Sequence, residues 1–413
     1  IVFLCLCLVF LTAGCWGMNE TDELAYVIAM GLDRGETNVV RVTLQVAIPS
    51  ALAAGSDKGG EEGTEIISVE AGSLFGALQL ANAFVSRKLT LKHNELVIIS
   101  DVIAREGLDK YINPLIRSRD VRRDTIIAIT QGSAMEFLKN NKKSLEKNPA
   151  REFAMSFGSK EYTALTFDTS LNDFNKSVKS HGSSPVLSLV GVKGEENKPV
   201  TKNMSYEEKL LNEVSYLPGE VSREGGNEVD IIGLAAFQGE RLIGFLNGSE
   251  TRYYMMLTDR FKSADFTFPD PHEKNKAIIV RITQGRNPER KVEISGEKPI
   301  IHIGLFLEGE ILSIQSGINY EEPGELAKLD SYIADIIKSG VMALIRRTQE
   351  EFQCDIVGFG EETRKFFWTW QEWARYDWTD KYPAAEVQLE VTMVTRRTGL
   401  MRKTYPTAEG DVQ

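Results

Sequence analysis

The apolar residues of this chain follow two different periods, and segments of the two kinds alternate along the sequence. In residues 39–48 every second side chain is apolar, which is typical of a β-strand with one buried face. From Leu326 to Phe352 apolar residues recur every three or four positions, which indicates a long helix with one buried stripe. A chain that interleaves strands with helices predicts an α+β, or mixed α/β, fold in which each sheet carries packed helices.

The first half of the sequence predicts one α/β domain over residues 15–193. Its apolar runs predict strands at residues 24–32, 39–48, 95–100, 125–130 and 186–192. Helices are expected at residues 74–85, 101–116 and 133–138. Asp101 is the expected capping residue of the second helix, and the strand at 186–192 is expected to be the last of this domain.

The length of 413 residues favours more than one hydrophobic core, and we expect three domains. A shift to polar composition after residue 193 predicts a linker, because Lys, Glu, Asn and Gly dominate there. The expected order is a polar linker at 194–230, a middle domain at 231–298, a C-terminal domain at 299–405 and a tail at 406–413.

The two later domains are predicted to be rich in strands. The middle domain opens with a predicted β-hairpin, residues 231–237 and 241–246, and a helix that carries Glu250–Arg252. The C-terminal domain carries the long helix, predicted at residues 325–352. Further strands are predicted at residues 278–282, 292–294, 300–307, 311–314 and 386–395.

Residues 1–14 form an apolar run that ends in small residues. A helix of this length reaches only about two-thirds of the ~30 Å hydrocarbon core of a bilayer, which is too short for a stable span. We interpret residues 1–14 as a lipoprotein signal peptide whose charged leader is missing from the sequence. The alternative is an ordinary secretory peptide that happens to end near a cysteine.

Cys15 follows Ala13 and Gly14 in a pattern that resembles a bacterial lipobox, in which such a thiol receives a diacylglycerol. Thr12 is a permitted but weaker choice at its position in that pattern. We therefore predict that Cys15 is the lipid attachment residue and that the mature protein carries acyl chains such as palmitate. Cys354 would then have no partner, so we expect it to be buried and the domains to be held by packing rather than by disulfides.

The acidic composition argues against nucleic acid as a partner. Against 59 acidic residues stand 48 Lys and Arg, a formal charge of −11, and such a chain repels phosphate backbones. One local exception is a basic patch. It consists of Arg117, Arg119, Arg122 and Arg123. A solvated helix end is the simplest interpretation of the patch, and docking to lipid head groups or to an acidic partner is the alternative.

No motif for catalysis or cofactor binding emerges from the sequence. The four histidines, His93, His181, His272 and His302, stand apart from one another, and no metal-ligand spacing is present. Gly358 and Gly360 form a Gly-x-Gly pair, which an ordinary turn explains. We predict that the protein is not an enzyme and that it has no cofactor, no metal and no nucleic-acid partner.

Four of the five tryptophans lie within eleven residues. They are Trp368, Trp370, Trp373 and Trp378. Aromatic clusters more often build a core than a ligand site, so we favour packing for them, with a protein interface as the second interpretation.

Four blocks of residues, in matching order along the chain, together resemble the Ger(x)C family of spore germination lipoproteins. The opening block is Ala13–Trp16, Glu23–Ala25 and Gly31–Asp33, and the next is Phe75–Ala77, Arg87–Leu89 and His93. The middle block is Gly233–Phe237, Leu242–Gly244 and Glu250–Arg252, and the last is Cys354–Ile356, Gly358–Gly360 and Arg396–Gly399. The departures are Thr12, a Gly-rich insertion at Gly55–Gly63 and the aromatic stretch Phe366–Trp378.

The resemblance singles out family-motif positions but leaves their roles open. They are Arg87, Lys88, His93, Gly244, Glu250, Thr251, Arg252, Gly358, Gly360, Arg396, Arg397 and Gly399. It implies no catalytic residue.

In function, the resemblance implies a membrane-tethered, non-catalytic C subunit of a spore nutrient germinant receptor. Such a subunit is expected on the outer face of the inner spore membrane, where it would assemble or signal with membrane-embedded A and B subunits. The leading alternative is a substrate-binding lipoprotein of a transporter, which predicts two similar lobes around a cleft. A membrane-anchored enzyme is a third and weaker option.

Overall fold

The computed structural model describes residues 23–48, 63–141, 149–194, 204–294, 298–401 and 404. Within these residues two β-sheets form, one of nine strands and one of five, and helices pack against both. This architecture confirms the predicted mixed α/β class. None of the described helices is both long and apolar enough to cross a bilayer.

The first sheet is built by the N-terminal half of the chain together with the predicted hairpin. Its strands are β1 (Leu24–Arg34), β2 (Val40–Ala47), β3 (Thr64–Ala71), β4 (Lys88–Thr90), β5 (Leu96–Ser100), β6 (Ile126–Gln131), β7 (Val186–Val192), β8 (Val229–Gln238) and β9 (Arg241–Leu246). Their order is β3-β2-β1-β5-β6-β7-β8-β9, and the short β4 pairs with the beginning of β1. Strands β1, β5, β6 and β7 are parallel, and the flanking pairs are antiparallel.

Both faces of this sheet are covered, which differs from the one-sided strand predicted at residues 39–48. All five residues of β5 are buried, as expected for a parallel strand with helices on both sides. In β2 the polar residues Thr43 and Gln45 are buried as well. The Thr43 hydroxyl lies 3.0 Å from the Ser68 hydroxyl on β3, so its polar atom is paired inside the sheet.

The first half of the chain also contains short helices. They are α1 (Leu74–Ala81), α2 (Asp101–Glu106), α3 (Asp109–Arg117), α4 (Ala134–Asn140), α5 (Pro149–Gly158), α6 (Lys160–Thr163), α7 (Leu171–Val178) and α8 (Tyr206–Leu211). The single helix predicted at residues 101–116 is wrong, because Gly107 adopts φ +120° and separates α2 from α3. Asp101 is not the cap either. It lies in the first turn, and its carboxylate accepts from the Gly132 N–H at 3.3 Å.

The predicted hairpin at residues 231–246 belongs to the first sheet. Strand β8 pairs antiparallel with β7, with Ala236 opposite Val186, so β7 is not the last strand as predicted. The boundary placed at residue 231 therefore does not interrupt the sheet. Polar composition alone does not distinguish a segment within one domain from a linker between two domains. The remaining domain boundaries stay predictions.

The second sheet contains five strands. They are β10 (Ser263–Pro269), β11 (Ala277–Gln284), β12 (Glu289–Glu293), β13 (Ile300–Ile314) and β14 (Glu386–Arg397). Strand β13 pairs antiparallel with β11 and β12 and parallel with β14. The two strands predicted at residues 300–307 and 311–314 are one strand of 15 residues. Gly309 does not end it, because the missing side chain makes room for Met393 and Thr395 of β14.

Helices complete the second half. They are α9 (Gly248–Leu257), α10 (Pro323–Glu350), α11 (Trp370–Tyr376) and α12 (Trp378–Lys381), with 3₁₀ turns at Phe359–Phe366 and Tyr382–Ala384. Helix α10 is the predicted long helix, and its buried stripe includes Ile333, Ile337 and Val341. Truncating one of these side chains to Ala would cost about 2–5 kcal/mol of unfolding free energy.

The largest hydrophobic core joins the two halves of the molecule. It contains the inner faces of the second sheet and of α10, and it also contains Val186, Leu234 and Ala236 from the first sheet. The two sheets therefore share buried surface where β7 and β8 approach the C-terminal half.

Candidate functional site: the junction of the two sheets

The family-motif positions occupy three regions of the structure. Gly244, Glu250, Thr251, Arg252, Gly358 and Gly360 lie where the two sheets meet. Arg87, Lys88 and His93 lie at one end of the first sheet, and Arg396, Arg397 and Gly399 lie at the end of β14. Cys15, Gly14, Thr12 and residues 55–62 of the Gly-rich insertion fall outside the described residues. We use the word junction for residues 180–184 before β7 and residues 354–361 after α10.

The junction is centred on the buried carboxylate of Asp355. Its Oδ1 accepts from the N–H groups of Val357 at 3.0 Å and Gly358 at 2.8 Å. Its Oδ2 accepts from the Gly360 N–H at 2.8 Å and from the Trp378 indole Nε1–H at 2.9 Å. Burial raises the pKa of this carboxyl to about 6, and the four donors oppose that rise. Because all four donors already bind it, the carboxylate has no free lone pair for acid–base work.

The Gly-x-Gly pair thus holds a carboxylate of its own chain and not a nucleotide. Gly358 adopts φ +86°, which turns the backbone so that successive N–H groups point at Asp355. The sequence indicated only a turn here. The sequence did not reveal the role of Asp355, three residues before Gly358, because the family resemblance left the role of Cys354–Ile356 open.

Two glycines bring the halves of the molecule into backbone contact. A Cβ built on Gly360 would lie 2.6 Å from the Gly182 carbonyl oxygen and would also collide with the Trp378 ring. A Cβ on Gly182 would lie 2.6 Å from the Glu361 nitrogen. Both positions therefore require glycine for space.

Direct hydrogen bonds reinforce this contact. The Ser184 N–H donates to the Asp355 carbonyl at 2.7 Å, and the Ser180 hydroxyl donates to the Glu361 carboxylate. The Trp373 indole donates to the Thr363 hydroxyl at 2.9 Å and packs beside His181. The residues that precede β7 are thus fixed to the turn that follows α10.

Cys354 is buried beside Asp355, as predicted for a small apolar group. Burial raises the pKa of its thiol to about 12, so the thiol stays protonated at neutral pH. A protonated, buried thiol is a weak nucleophile, and packing is the role that its surroundings support.

The middle motif fastens β9 and α9 to the long helix. Glu250 and Asn247 form a reciprocal capping box at the start of α9. The same carboxylate accepts from Arg347 of α10, with Nη1 at 2.7 and 2.8 Å from its two oxygens. Gly244 leaves room for Phe352, whose Cε1 would lie 2.5 Å from an added Cβ.

Thr251 and Arg252 are also buried in this region. The Thr251 hydroxyl donates to the Asn247 carbonyl at 2.8 Å. The Arg252 guanidinium donates to the carbonyls of Thr163 and Asp265, each at 3.0 Å, and lies over the Phe266 ring. Burial lowers its pKa to about 10, which leaves it charged at pH 7. Arg252 therefore ties α6, α9 and β10 together.

The opening block has a structural explanation of the same kind. The Asp33 carboxylate accepts from the N–H groups of Ala134 at 2.7 Å and Met135 at 2.9 Å, and from the Ser133 hydroxyl at 3.2 Å. It thus holds the N-terminus of α4 against β1. Gly31, two residues earlier, allows Ala134 to approach the strand, since an added Cβ would lie 3.1 Å from the Ala134 Cβ.

The last block lies at the end of β14. Arg396 donates to Glu308 of β13 at 3.2 Å, Arg397 is opposite Glu310, and Gly399 adopts φ +71° in the turn that follows. These contacts align the two parallel strands. They lie far from Asp355 in the fold, so the motif positions do not converge on one site.

The tryptophan cluster divides into two pairs. Trp373 and Trp378 are buried, as the packing interpretation predicts. Trp368 is 97% exposed and Trp370 is 48% exposed, and Phe366 nearby is 46% exposed. We call Phe366, Trp368 and Trp370 the aromatic patch. For these residues the interface interpretation stays a prediction.

A cleft of about 260 Å³ opens at the junction. Its lining includes Asp173, Ser183, Arg260, Arg290 and Glu361. Across the described ranges, no group of three or more His, Cys, Asp or Glu side chains has an arrangement that could hold a metal ion.

Two family models match this chain, and together they include most of it. The spore germination protein N-terminal domain matches residues 17–192, and the spore germination B3/GerAC-like C-terminal domain matches residues 232–399. The fold and its motifs thus define a protein of the spore germination class.

Curated relatives match along almost the whole length. Spore germination protein KC of Bacillus subtilis (strain 168) is 22% identical over 401 residues, which covers 95% of this chain and 94% of the relative. Spore germination protein GerQC of Bacillus cereus is 22% identical over 390 residues, which covers 94% and 95%. The chain belongs to the Ger(x)C family, the germinant receptor C-subunit family.

A solved structure shows the same fold. The crystal structure of the GerBC protein aligns with a TM-score of 0.54 at 13% identity and covers 89% of this chain and 96% of that one. The two sheets of this chain differ in strand number and order. They therefore do not form the two similar lobes that a transporter's substrate-binding lipoprotein would have.

Proposed function

We propose that this chain is a membrane-tethered, non-catalytic C subunit of a spore nutrient germinant receptor. It acts on the outer face of the inner spore membrane, where it assembles or signals with membrane-embedded A and B subunits. The observation that carries the proposal is the use of family-motif residues where the two sheets meet. Glu250, Arg252, Gly358 and Gly360 all serve contacts that fix one part of the molecule to another.

A body whose two sheets are fixed to each other by such contacts suits a subunit that links its partner subunits. When the two sheets keep a fixed relation, a displacement at one sheet is transmitted to the other. Glu250 and Arg252 bind other parts of the chain, so their polar groups are already satisfied within it. Selection for these residues would then preserve the relation of the two halves rather than a reaction.

Lipid at Cys15 supplies the membrane attachment in this proposal. One acyl chain binds a bilayer only marginally, whereas two or more give stable attachment. The tether also keeps the two-sheet body near its membrane partners, and the raised local concentration allows modest interfaces to suffice. Replacing Cys15 with Ala should move the protein from the membrane fraction to the soluble fraction of spores when the membranes are washed at high salt, which removes proteins held by charge alone.

The aromatic patch is the surface that we assign to a partner subunit. Exposed Trp side chains are costly in water and are enriched where proteins bind one another. Phe366, Trp368 and Trp370 lie in a stretch that departs from the family pattern. A stretch that departs from the family pattern suits contact with the A and B subunits of one particular receptor rather than with those of every receptor.

Co-purification from spore membranes tests the assignment. The wild-type chain should recover the A and B subunits, and Trp368→Ser should recover much less of them, because Trp368 is the most exposed member of the patch. Tyr206→Ser is the matched control, since Tyr206 is an exposed aromatic residue elsewhere on the surface. Recovery of the wild-type chain as a free, unacylated monomer would contradict the proposed function.

A further inference from the structure

One end of the first sheet is basic, although the chain as a whole is acidic. It is the end at which β1, the first described strand, begins. Strands β1, β4, β5 and β6 are parallel and all start at this end. The segments that lead into them are 82–95 and 117–125. They lie side by side, because the Thr125 hydroxyl donates to the Asn94 carbonyl at 2.9 Å and Arg122 reaches Glu95 at 3.2 Å.

Segments 82–95 and 117–125, with Glu23, carry seven basic and four acidic residues. This gives a formal charge of +3 at one end of a chain whose total is −11. Arg122 neutralises part of the acidic set, because it pairs with both Asp124 and Glu95.

Six basic side chains at this end are exposed. They are Arg87, Lys88, Lys92, Arg117, Arg119 and Arg123. None of the six forms an ion pair within the part of the chain that the structure describes. We call these six residues the basic end. Unpaired, exposed cations held on neighbouring loops are available to an anionic surface.

An exposed apolar side chain accompanies these charges. Phe84 is 65% exposed and lies three residues before Arg87, in the segment that leads to β4. The Asn82 carboxamide, on the same segment, accepts from the Leu89 N–H at 2.9 Å and fixes the loop to β4. A ring that projects from a fixed loop among cations is the combination that binds a lipid interface.

The length of chain before β1 brings this end close to the membrane. Leu24, the first residue of β1, is nine positions after Cys15, and a fully extended chain of that length spans about 30 Å at most. Lipid at Cys15 would therefore keep the first residue of β1 within about 30 Å of the bilayer, about four Debye lengths at physiological salt, and direct contact is within reach.

We propose that the basic end rests on anionic lipid head groups, with Phe84 entering the interface. This proposal rests on the lipid tether of the proposed function. Contact at this end orients the first sheet so that its parallel strands run away from the bilayer. The tether and the basic end then act as two attachments that fix the orientation of the body rather than only its location.

Vesicle flotation of the mature full-length chain with Cys15→Ser separates the two attachments, because that variant carries no lipid. It should float with vesicles that contain phosphatidylglycerol and not with pure phosphatidylcholine vesicles, and the binding should weaken as salt is raised. Each removed cation should weaken binding about fivefold, so Lys88→Gln, Lys92→Gln and Arg119→Gln together should weaken it about 100-fold.

A matched control triple removes the same charge elsewhere. It is Lys291→Gln, Lys338→Gln and Arg346→Gln, at three exposed positions of the second half. The control should bind anionic vesicles like the parent chain, and Phe84→Ser should bind less. Circular dichroism should show the same fold for all variants, since every substituted residue is exposed.

Three results would overturn the proposal. The unlipidated chain fails to bind anionic vesicles at low salt, or the two triples lose binding equally. In the third, the basic-end triple binds vesicles normally but no longer recovers the receptor subunits, which would make this end a protein interface. The proposed function fails separately, if the wild-type chain does not recover the A and B subunits or if Cys15→Ala stays with membranes that are washed at high salt.

Discussion

The junction and the basic end carry motif residues of one family but use them in opposite ways. At the junction, a buried carboxylate is bound by four donors, and two glycines allow the two halves to meet without a gap. At the basic end, Arg87 and Lys88 are exposed, and neither pairs with an acidic side chain of the described chain. The first region makes the body rigid, and the second leaves charge available to a surface outside the chain.

Substitution of Asp355 should give the largest effect. Asp355→Ala leaves three buried N–H groups and the Trp378 indole without an acceptor, and we expect a loss of about 3–4 kcal/mol in unfolding free energy. Thermal unfolding of the purified chain measures this, with Asp355→Asn as the milder variant. An unchanged Tm would show that the junction is not a stabilising element.

A side chain at Gly360 should have a somewhat smaller effect. The added methyl group of Gly360→Ala would collide with Gly182 and with the Trp378 ring. We expect a loss of about 1–3 kcal/mol in unfolding free energy. Gly324→Ala is the matched control, because nothing lies within 4 Å of an added Cβ there. If the two variants unfold at the same temperature, the close contact of the two halves does not exist.

Asp355 should also make stability depend on pH in a particular direction. Its pKa is about 6 in the folded protein and near 3.8 when unfolded, so the folded state binds the proton more tightly. The stabilisation is therefore complete below about pH 4 and is lost as pH rises to about 6. The difference in Tm between the wild type and Asp355→Asn, measured from pH 4 to pH 7, isolates this residue. A wild type whose Tm rises relative to that of Asp355→Asn as the pH increases would contradict this prediction.

Charge reversal at the basic end should have the smallest effect on stability. Lys88→Glu and Arg119→Glu change exposed residues without ion pairs, so the unfolding free energy should move by less than about 0.5 kcal/mol. The same thermal unfolding assay measures this beside the junction variants. A loss as large as that of Gly360→Ala would remove the contrast between the two regions.

The sequence predicted most elements of the fold because their signals are local. The period of two at β2 and the stripe of α10 depend on neighbours within one element, and both elements form. Strand β10 was missed, although Ala264, Phe266 and Phe268 alternate with polar residues and are buried. The attachment of β8 to β7 and the parallel pairing of β13 with β14 join distant segments. The hydrophobic pattern of a strand does not specify which other strand it pairs with.

The candidate site was predictable only as a set of positions. Gly358, Gly360, Glu250 and Arg252 were identified by resemblance, and their contacts were not foreseen. Three donors to the Asp355 carboxylate are close in sequence, but Ser184 and Trp378 are distant, and nothing in Cys354–Ile356 indicates them. The exposed half of the tryptophan cluster was equally hidden, because buried and exposed aromatic residues look alike in a sequence.

Native-state hydrogen exchange tests the central claim, that the junction unites the two sheets in one body. The amides of Val357, Gly358 and Gly360, which bind the Asp355 carboxylate, and the Phe237 amide of β8 are the probes. We predict that these amides exchange as slowly as the centres of β5 and β13, because they open only when the whole body unfolds. Rapid exchange at the junction while both sheets stay protected would show two independently moving halves and contradict the account.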